Sequence, residues 1–284
     1  MASIGALGYT AARMFKLLKS KKLFIGVVHL PATPGSPRFS GDRRAVLRRA
    51  SEDARALIGG GVDALVIENF GDAPFYPEQV PAETIASLAL AVAAVQDLAG
   101  DLPVGVNVLR NDARAALGIA AATGARFVRI NVHIGAAVTD QGLIEGRAAQ
   151  TVRERQRLCP GLPLLCDVHV KHATPLGRES VVDAALDTFQ RGLADALILS
   201  GVATGSPPDS DTLSQVRKAL PGAPLLIGSG LDERNARKLL AHVDGAIVGT
   251  ALKRDGQVGE RVDPERVRRM REFFESAPRK AKTS

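Results

Sequence analysis

Two short stretches of this 284-residue chain alternate polar side chains able to hold anions or move protons. Arg129, Asn131 and His133 alternate along RFVRINVH, and Asp167, His169 and Lys171 alternate along LLCDVHVK. Successive side chains of an extended chain point to opposite faces, so each trio is predicted to share one face. Glu68 and Asn69 close DALVIEN, His29 closes LFIGVVH, Asn107 lies in VGVNVL, and Ser200 and Gly201 end ALILSG. Glu68, Asp167 and His169 are candidate catalytic residues, because carboxylates and imidazoles are the usual proton carriers. His29, Asn107, Arg129, Asn131 and Lys171 are candidate substrate-binding residues. Lys171 could neutralise a phosphate or form an imine. Asp167 and His169 would stand about 7 Å apart along one face at strand rise, too far for a direct pair and workable around a substrate. Each candidate also has a plain structural use: a core histidine for His29, a loop cap for Glu68. Glu68, Asp167 and His169 would make a divalent-metal set if the fold brought them together. The chain has no HExxH, no EF-hand loop and no close Cys/His array, so no other cofactor is expected.

A second signal lies near the C-terminus. PLLIGSGLDERNARKLL reads as strand, small-residue turn and helix, and DGAIVGTALKRDG as a further strand ending in Gly-Thr. Small residues let backbone N–H groups approach phosphate oxygens, and a helix start adds partial positive charge. Gly228, Ser229, Gly230, Gly249 and Thr250 are therefore the candidate phosphate-binding residues. A single Gly-Ser-Gly would read as a tight turn; two such turns after consecutive strands favour a phosphate.

The elements that must position these residues follow a simple alternation. Eight apolar runs stand out: Leu23–His29, Ala64–Asn69, Val104–Leu109, Phe127–Val132, Leu164–Val170, Ala196–Ser200, Leu225–Gly228 and Ala246–Gly249. Near-continuous apolar runs are what parallel strands covered by helices require. Helical patterns separate them, including 44–60, 82–98, 113–124, 146–158, 181–192, 211–220 and 232–241, with 264–275 after the last strand. Several end in glycine just before the next strand, as in GGGVDALVIEN, AATGARFVRINV and QRGLADALILSG, where glycine accepts a left-handed cap. Eight βα units predict an α/β fold, a (β/α)8 TIM barrel with its phosphate site after strands 7 and 8. An open doubly wound sheet is the rival, but the turn after the first strand is HLPATPGSPRF, with no GxGxxG.

Composition sets the outer limits. With no Trp, 2 Tyr and 9 Phe, the core must be aliphatic. The net charge of +7 raises the question of nucleic acid. Much of the excess sits at the chain ends, and no aromatics interleave with the arginines, so nucleic-acid binding is not expected. Cys159 and Cys166 form no CxxC pair, which fits a reducing, cytoplasmic location. No segment reads as roughly 18 apolar residues in a row, the length of a membrane span. Residues 1–21 are expected to be a tail or short amphipathic helix, 22–276 the barrel, and 277–284 a basic tail.

HLPATPGSPRF, DALVIENFGDAPF, GVNVLRND, RFVRINVHIGAAVTDQGLIEGRA, LLCDVHVKHA, LILSGVATG and GAIVGTALKRDGQ together resemble the BtpA/SgcQ family, over about Lys22 to Arg271. The resemblance implies a barrel related to phosphate-binding barrels. Taken with the two glycine turns and the polar strand ends, it leaves two functions open. One is an enzyme of lyase, isomerase or transferase type, acting on a phosphorylated small molecule, sugar-phosphate-like, at the C-terminal mouth. The other is a non-catalytic factor of photosystem I biogenesis with peripheral membrane association. The resemblance carries no catalytic residues over, so the site assignments rest on spacing. The expected partners are a phosphorylated small-molecule ligand and further copies of the chain in a homo-oligomer.

Overall fold

The computed structural model describes residues 21–177, 180–201 and 206–278. The expectations for the N-terminal 1–20, and for 279–284 of the basic tail, lie outside the described residues.

Eight parallel strands close into a barrel. They are β1 (Leu23–His29), β2 (Ala64–Glu68), β3 (Val104–Asn107), β4 (Phe127–Ile130), β7 (Leu164–Val168), β9 (Ala196–Leu199), β10 (Leu225–Ile227) and β11 (Gly245–Val248). Each coincides with an apolar run, most being one or two residues shorter at the C-terminal end. The surrounding helices are α1 (Arg43–Gly59), α2 (Ala82–Ala99), α3 (Ala113–Thr123), α4 (Ala148–Leu158), α5 (Val181–Leu186), α6 (Ser210–Ala219), α7 (Ala236–Leu239) and α8 (Pro264–Ser276). Asp42, Asp112, Asp209 and Asp263 cap α1, α3, α6 and α8 by accepting first-turn N–H bonds. These satisfy donors the helix itself cannot pair. Gly124 ends α3 at φ +79, as a left-handed cap should. In QRGLADAL the left-handed residue is instead Leu193, at φ +56, not Gly192.

Two apolar layers hold the fold. One lies between strands and helices. The other fills the barrel itself with Leu23, Ile25, Val27, Ala64, Val66, Phe127, Leu165, Ala196, Ile198, Leu226 and Ile247. A Cβ on Gly105 would lie 2.4 Å from the Phe127 ring, so this glycine leaves the room that Phe127 fills. Stepping two residues along these inward faces gives His29, Glu68, Asn107, Arg129, Asp167, Ser200, Gly228 and Gly249. The barrel floor is thus apolar and its C-terminal mouth polar.

Three features differ from the sequence reading. A small antiparallel sheet, β6 (Gly142–Glu145), β5 (Ala136–Thr139) and β8 (Ala173–Pro175), stands beside the mouth in the connections after β4 and β7. The helix expected over 232–241 is only the four residues of α7. Helix α2 has 18 residues and a mean hydropathy of 1.4, so by length and composition it does match a membrane span. Here it belongs to the helix ring, with Leu88, Ala91, Val92 and Val95 in the core.

Candidate active site

Strand register assembles the site. His29 pairs laterally with Glu68, Glu68 with Asn107, and Asn107 with Arg129. Since all four side chains point inward, neighbouring strands bring them together in one layer. Arg129 is its centre. Its Nε and Nη2 donate to the two oxygens of Asp167 at 2.9 and 3.0 Å, and Nη1 donates to Glu68 Oε1 at 3.0 Å. Asn131 donates to Asp167 Oδ2 at 3.1 Å, and Asn107 donates to Asn131 Oδ1 and to the Arg129 carbonyl, each at 3.0 Å. Burial works against the charge on Arg129, yet Asp167 and Glu68 outweigh it and raise its pKa above the ordinary value. The guanidinium is a fixed cation.

His29 Nε2 lies 3.9 Å from Glu68 Oε2, and its ring tilts against Phe70 at a centroid distance of 4.6 Å. Burial, followed by the charges of Lys253, Lys171, Arg129 and Arg49, holds the His29 pKa well below 6.5. His29 is therefore a neutral imidazole at pH 7. Lys171 is half-buried, and burial with Arg129 lowers its pKa from 10.5. Among the described residues, the buried atoms His29 Nδ1, Asn107 Oδ1, Ser200 Oγ and Ser229 Oγ have no hydrogen-bond partner. Buried polar atoms are rarely left so, and several at one mouth mark a place where a ligand or water completes them.

The mouth opens as two lobes. The first, about 490 Å³, runs from His29, Glu68, Arg129 and Lys171 to the turns Gly228–Gly230 and Gly249–Thr250. The second, about 410 Å³, is lined by Asn107, Asn131, Arg110, Asp140, Phe75 and His172. Glu68, Phe70, Arg129 and Lys171 border both. The two candidate phosphate turns thus line one space together with His29, Glu68, Arg129 and Lys171. Their glycines also clear that space. A Cβ on Gly228 would lie 2.4 Å from Ile198 Cγ2 and 2.5 Å from Ser200 Oγ, and one on Gly249 would lie 2.7 Å from His29 Cε1. With α7 only one turn long, no helix dipole of consequence supports these turns.

Other expected groupings come apart. Strand β7 ends at Val168, and His169 takes φ +50. The period of two breaks there, so Asp167, His169 and Lys171 do not share a face. His169 lines neither lobe and sits by a cavity of about 40 Å³ under the small sheet. Asp167 is sealed beneath Arg129 and lines neither lobe, which makes it the holder of that cation. Glu68, Asp167 and His169 do not converge, and among the described residues no group of three or more His, Cys, Asp or Glu could hold a metal ion. His133 also leaves the face of Arg129 and Asn131, and its Nε2 meets the Gly192 carbonyl at 2.7 Å. Conversely, Phe70, Arg110 and Asp140 line the mouth without having been singled out. All three follow strand ends, where periodicity no longer says which way a side chain points.

A model of the BtpA family matches residues 20–276. The chain belongs to the BtpA family. It is 46% identical to the photosystem I biogenesis protein BtpA of Synechocystis, over 94% of each chain. It is 47% identical to an uncharacterized protein of Thermococcus kodakarensis, over 89% of this chain and 95% of the other. The putative sgc region protein SgcQ of Escherichia coli is 31% identical, over 89% of this chain and 94% of its own. Among solved structures, N-(5'-phosphoribosyl)anthranilate isomerase from Pyrococcus furiosus superposes with a TM-score of 0.56 at 14% identity, over 90% of this chain and all of the other. Thiamine phosphate pyrophosphorylase from the same organism gives 0.55 at 17%, over 91% and 98%. At such identities these likenesses establish the TIM-barrel fold of this BtpA-family chain and nothing finer.

Proposed function

We propose that this BtpA-family barrel is an enzyme acting on a phosphorylated, sugar-phosphate-like small molecule bound at the C-terminal mouth. The observation that carries the reading is the first lobe, with small-residue turns after the last two strands on one wall and Glu68, Arg129 and Lys171 on the other. Gly228 donates its own N–H to the Leu199 carbonyl at 2.8 Å. The phosphate would therefore be met by the amides of Ser229 and Gly230, the Ser229 hydroxyl, and the Gly249–Thr250 turn. Anchoring at this end would position the rest of the molecule over the polar layer, where binding energy lowers the barrier of the step that follows. Glu68 is the proton-moving group, since it alone of the candidate carboxylates borders the open space. Arg129 fixes its position, and Lys171 supplies positive charge for an oxyanion. Neutral His29 beside Glu68 would accept or donate a hydrogen bond to a substrate hydroxyl. Isomerisation, aldol-type cleavage and hydrolysis all fit a carboxylate placed in this way.

Thermal-shift measurement against a panel of phosphorylated metabolites tests the binding half. Stabilisation by a subset is expected, and no shift with any compound, from folded protein, would overturn the reading. For the chemical half, Glu68→Gln should abolish turnover of the compound so found while leaving its binding within a few-fold.

The 46% identity to a protein named for photosystem I biogenesis favours a second reading, a non-catalytic factor working at a membrane surface. Liposome flotation of the full chain and of a chain lacking residues 1–20 separates the two. If both remain with the soluble fraction, the membrane reading fails.

A further inference from the structure

Arg110 has no part in the phosphate reading, and its surroundings are unusual. It lies three residues past β3, is 5% exposed, and borders the second lobe. Its Nη2 donates to the Lys171 carbonyl at 2.5 Å, and its backbone N–H donates to the Tyr76 carbonyl at 3.1 Å. Among the described residues no carboxylate comes within ion-pairing distance of the guanidinium. Burial pulls its pKa down, and Asp167, Asp140 and Glu68 act on it only at longer range. An arginine does not shed its proton to escape such a position. A buried cation with a single neutral acceptor is costly unless something else completes it. The open side of this one is the second lobe, where Asn107 Oδ1 is also unpartnered.

We propose that Arg110 receives a second anionic group, a carboxylate, at the far end of the same phosphorylated ligand; this rests on the phosphate reading above. The ligand class is then a phosphorylated acid spanning both lobes, with its middle over Glu68, Arg129 and Lys171. A carboxylate suits the place better than a second phosphate. Its two coplanar oxygens match two parallel N–H groups of a guanidinium. Its single charge is also repelled less by Asp140 and Glu68, which border the same lobe. Asn131 and Asn107, tied to each other and to the Arg129 layer, add neutral polar groups to the lining of the same lobe.

Isothermal titration of the full-length chain with a matched pair of probes tests this. Glycerol 3-phosphate carries the phosphate alone, and 3-phosphoglycerate adds a carboxylate. The wild-type protein should prefer 3-phosphoglycerate by about tenfold or more. Arg110→Gln should shrink that preference to within about twofold and leave glycerol 3-phosphate affinity unchanged. Equal binding of both probes by the wild type, or equal weakening of both in a folded Arg110→Gln protein, would overturn the second anion site while the phosphate site stands. Binding of neither probe would overturn the two-anion ligand proposed here, while the phosphate site itself is decided by the metabolite panel above. Should Arg110→Gln fail to fold, Arg110→Lys replaces it. Lysine keeps the charge without the fork, so the preference should fall while the phosphate affinity holds, and an undiminished preference would count against the proposal.

Discussion

Lys253 and Arg110 are both buried cations, yet the fold treats them differently. Lys253 is fully buried and donates to Asp53 Oδ2 at 2.6 Å. Asp53 also accepts from Arg49 at 3.2 Å and from the Val262 N–H at 2.9 Å. Each charge of this cluster has its partner, and Lys253 and Asp53 line neither lobe of the mouth. Together they tie the segment after β11 to α1. Among the described residues the Arg110 guanidinium has only a carbonyl, and elsewhere in the mouth His29 Nδ1, Asn107 Oδ1, Ser200 Oγ and Ser229 Oγ are unpartnered. Buried charge alone therefore does not mark a site in this protein. The mouth differs from the Lys253 cluster in that several of its polar groups are held in place but not completed.

The comparison predicts its largest effect at Asp53. Asp53→Ala would strand Lys253 inside the protein without a counter-charge. Losing one partner of a buried pair costs about 3–5 kcal/mol. Urea denaturation should show a loss of that size. A change below about 1 kcal/mol would mean that the cluster is not the tie described here.

A smaller cost is expected where the mouth is kept open. Gly228→Ala must push Ile198 or Ser200 aside, and overpacking of this kind costs about 1–3 kcal/mol. The displaced Ser200 and the neighbouring Arg129 Nη2, 3.3 Å from the new Cβ, would shift together. The ligand found by thermal shift should therefore bind at least about tenfold more weakly, a larger proportionate loss than in Asp53→Ala. Equal affinity losses in the two variants would erase the distinction between tie and site.

The polar layer of the mouth is legible in the sequence, while neither Arg110 nor the Lys253–Asp53 pair is, for reasons that depend on the residue. Strand runs such as ALVIE and LLCDV announce themselves because both faces are buried, and the alternation of Glu68, Asn107, Arg129 and Asp167 with apolar residues follows from the inward face of a barrel. Legibility stops where the ladder stops. His169 adopts a left-handed φ that no spacing rule foresees, and Arg110 returns to the mouth from a loop, whereas Lys171 lines the mouth as expected although the shared face that suggested it is broken. The sheet of β5, β6 and β8 leaves little pattern in the sequence because its strands are three or four residues long and mostly exposed or half-buried, with Ala137 and Ile144 their buried members. The Lys253–Asp53 tie spans 200 positions, a distance over which no local pattern operates.

The pH dependence of stability sharpens the comparison further. His29 is held neutral by burial and by the cations around it, against the Glu68 carboxylate at 3.9 Å. Below its unfolded pKa near 6.5, the unfolded chain takes up a proton that the folded chain refuses. The stability contributed by neutral His29 is full above that pH and is lost progressively as pH falls from there toward the folded value. One such group gives a slope of at most about 1.4 kcal/mol per pH unit. Burial also lowers the pKa of His133 and of His172, with the same sign. His29→Gln should therefore reduce, without abolishing, the slope of unfolding free energy measured between pH 5 and 6.5. An unchanged slope would place His29 in contact with water rather than in the closed polar layer.

The smallest effect is expected at Arg110, and its size is the most informative. If the guanidinium were a structural element like Lys253, Arg110→Met would cost several kcal/mol. On the present account it is an uncompensated charge kept for a ligand, and methionine occupies similar space without it. The variant should then stay within about 1 kcal/mol of wild type in urea, with the shift toward greater stability, since sites held ready for a ligand are a common source of lost stability. The Lys171 carbonyl loses its donor, a cost of about 1 kcal/mol that limits the gain. Losing stability on the scale of Asp53→Ala would put Arg110 and Lys253 in the same class, and the mouth would then contain one incomplete layer rather than two waiting anion sites.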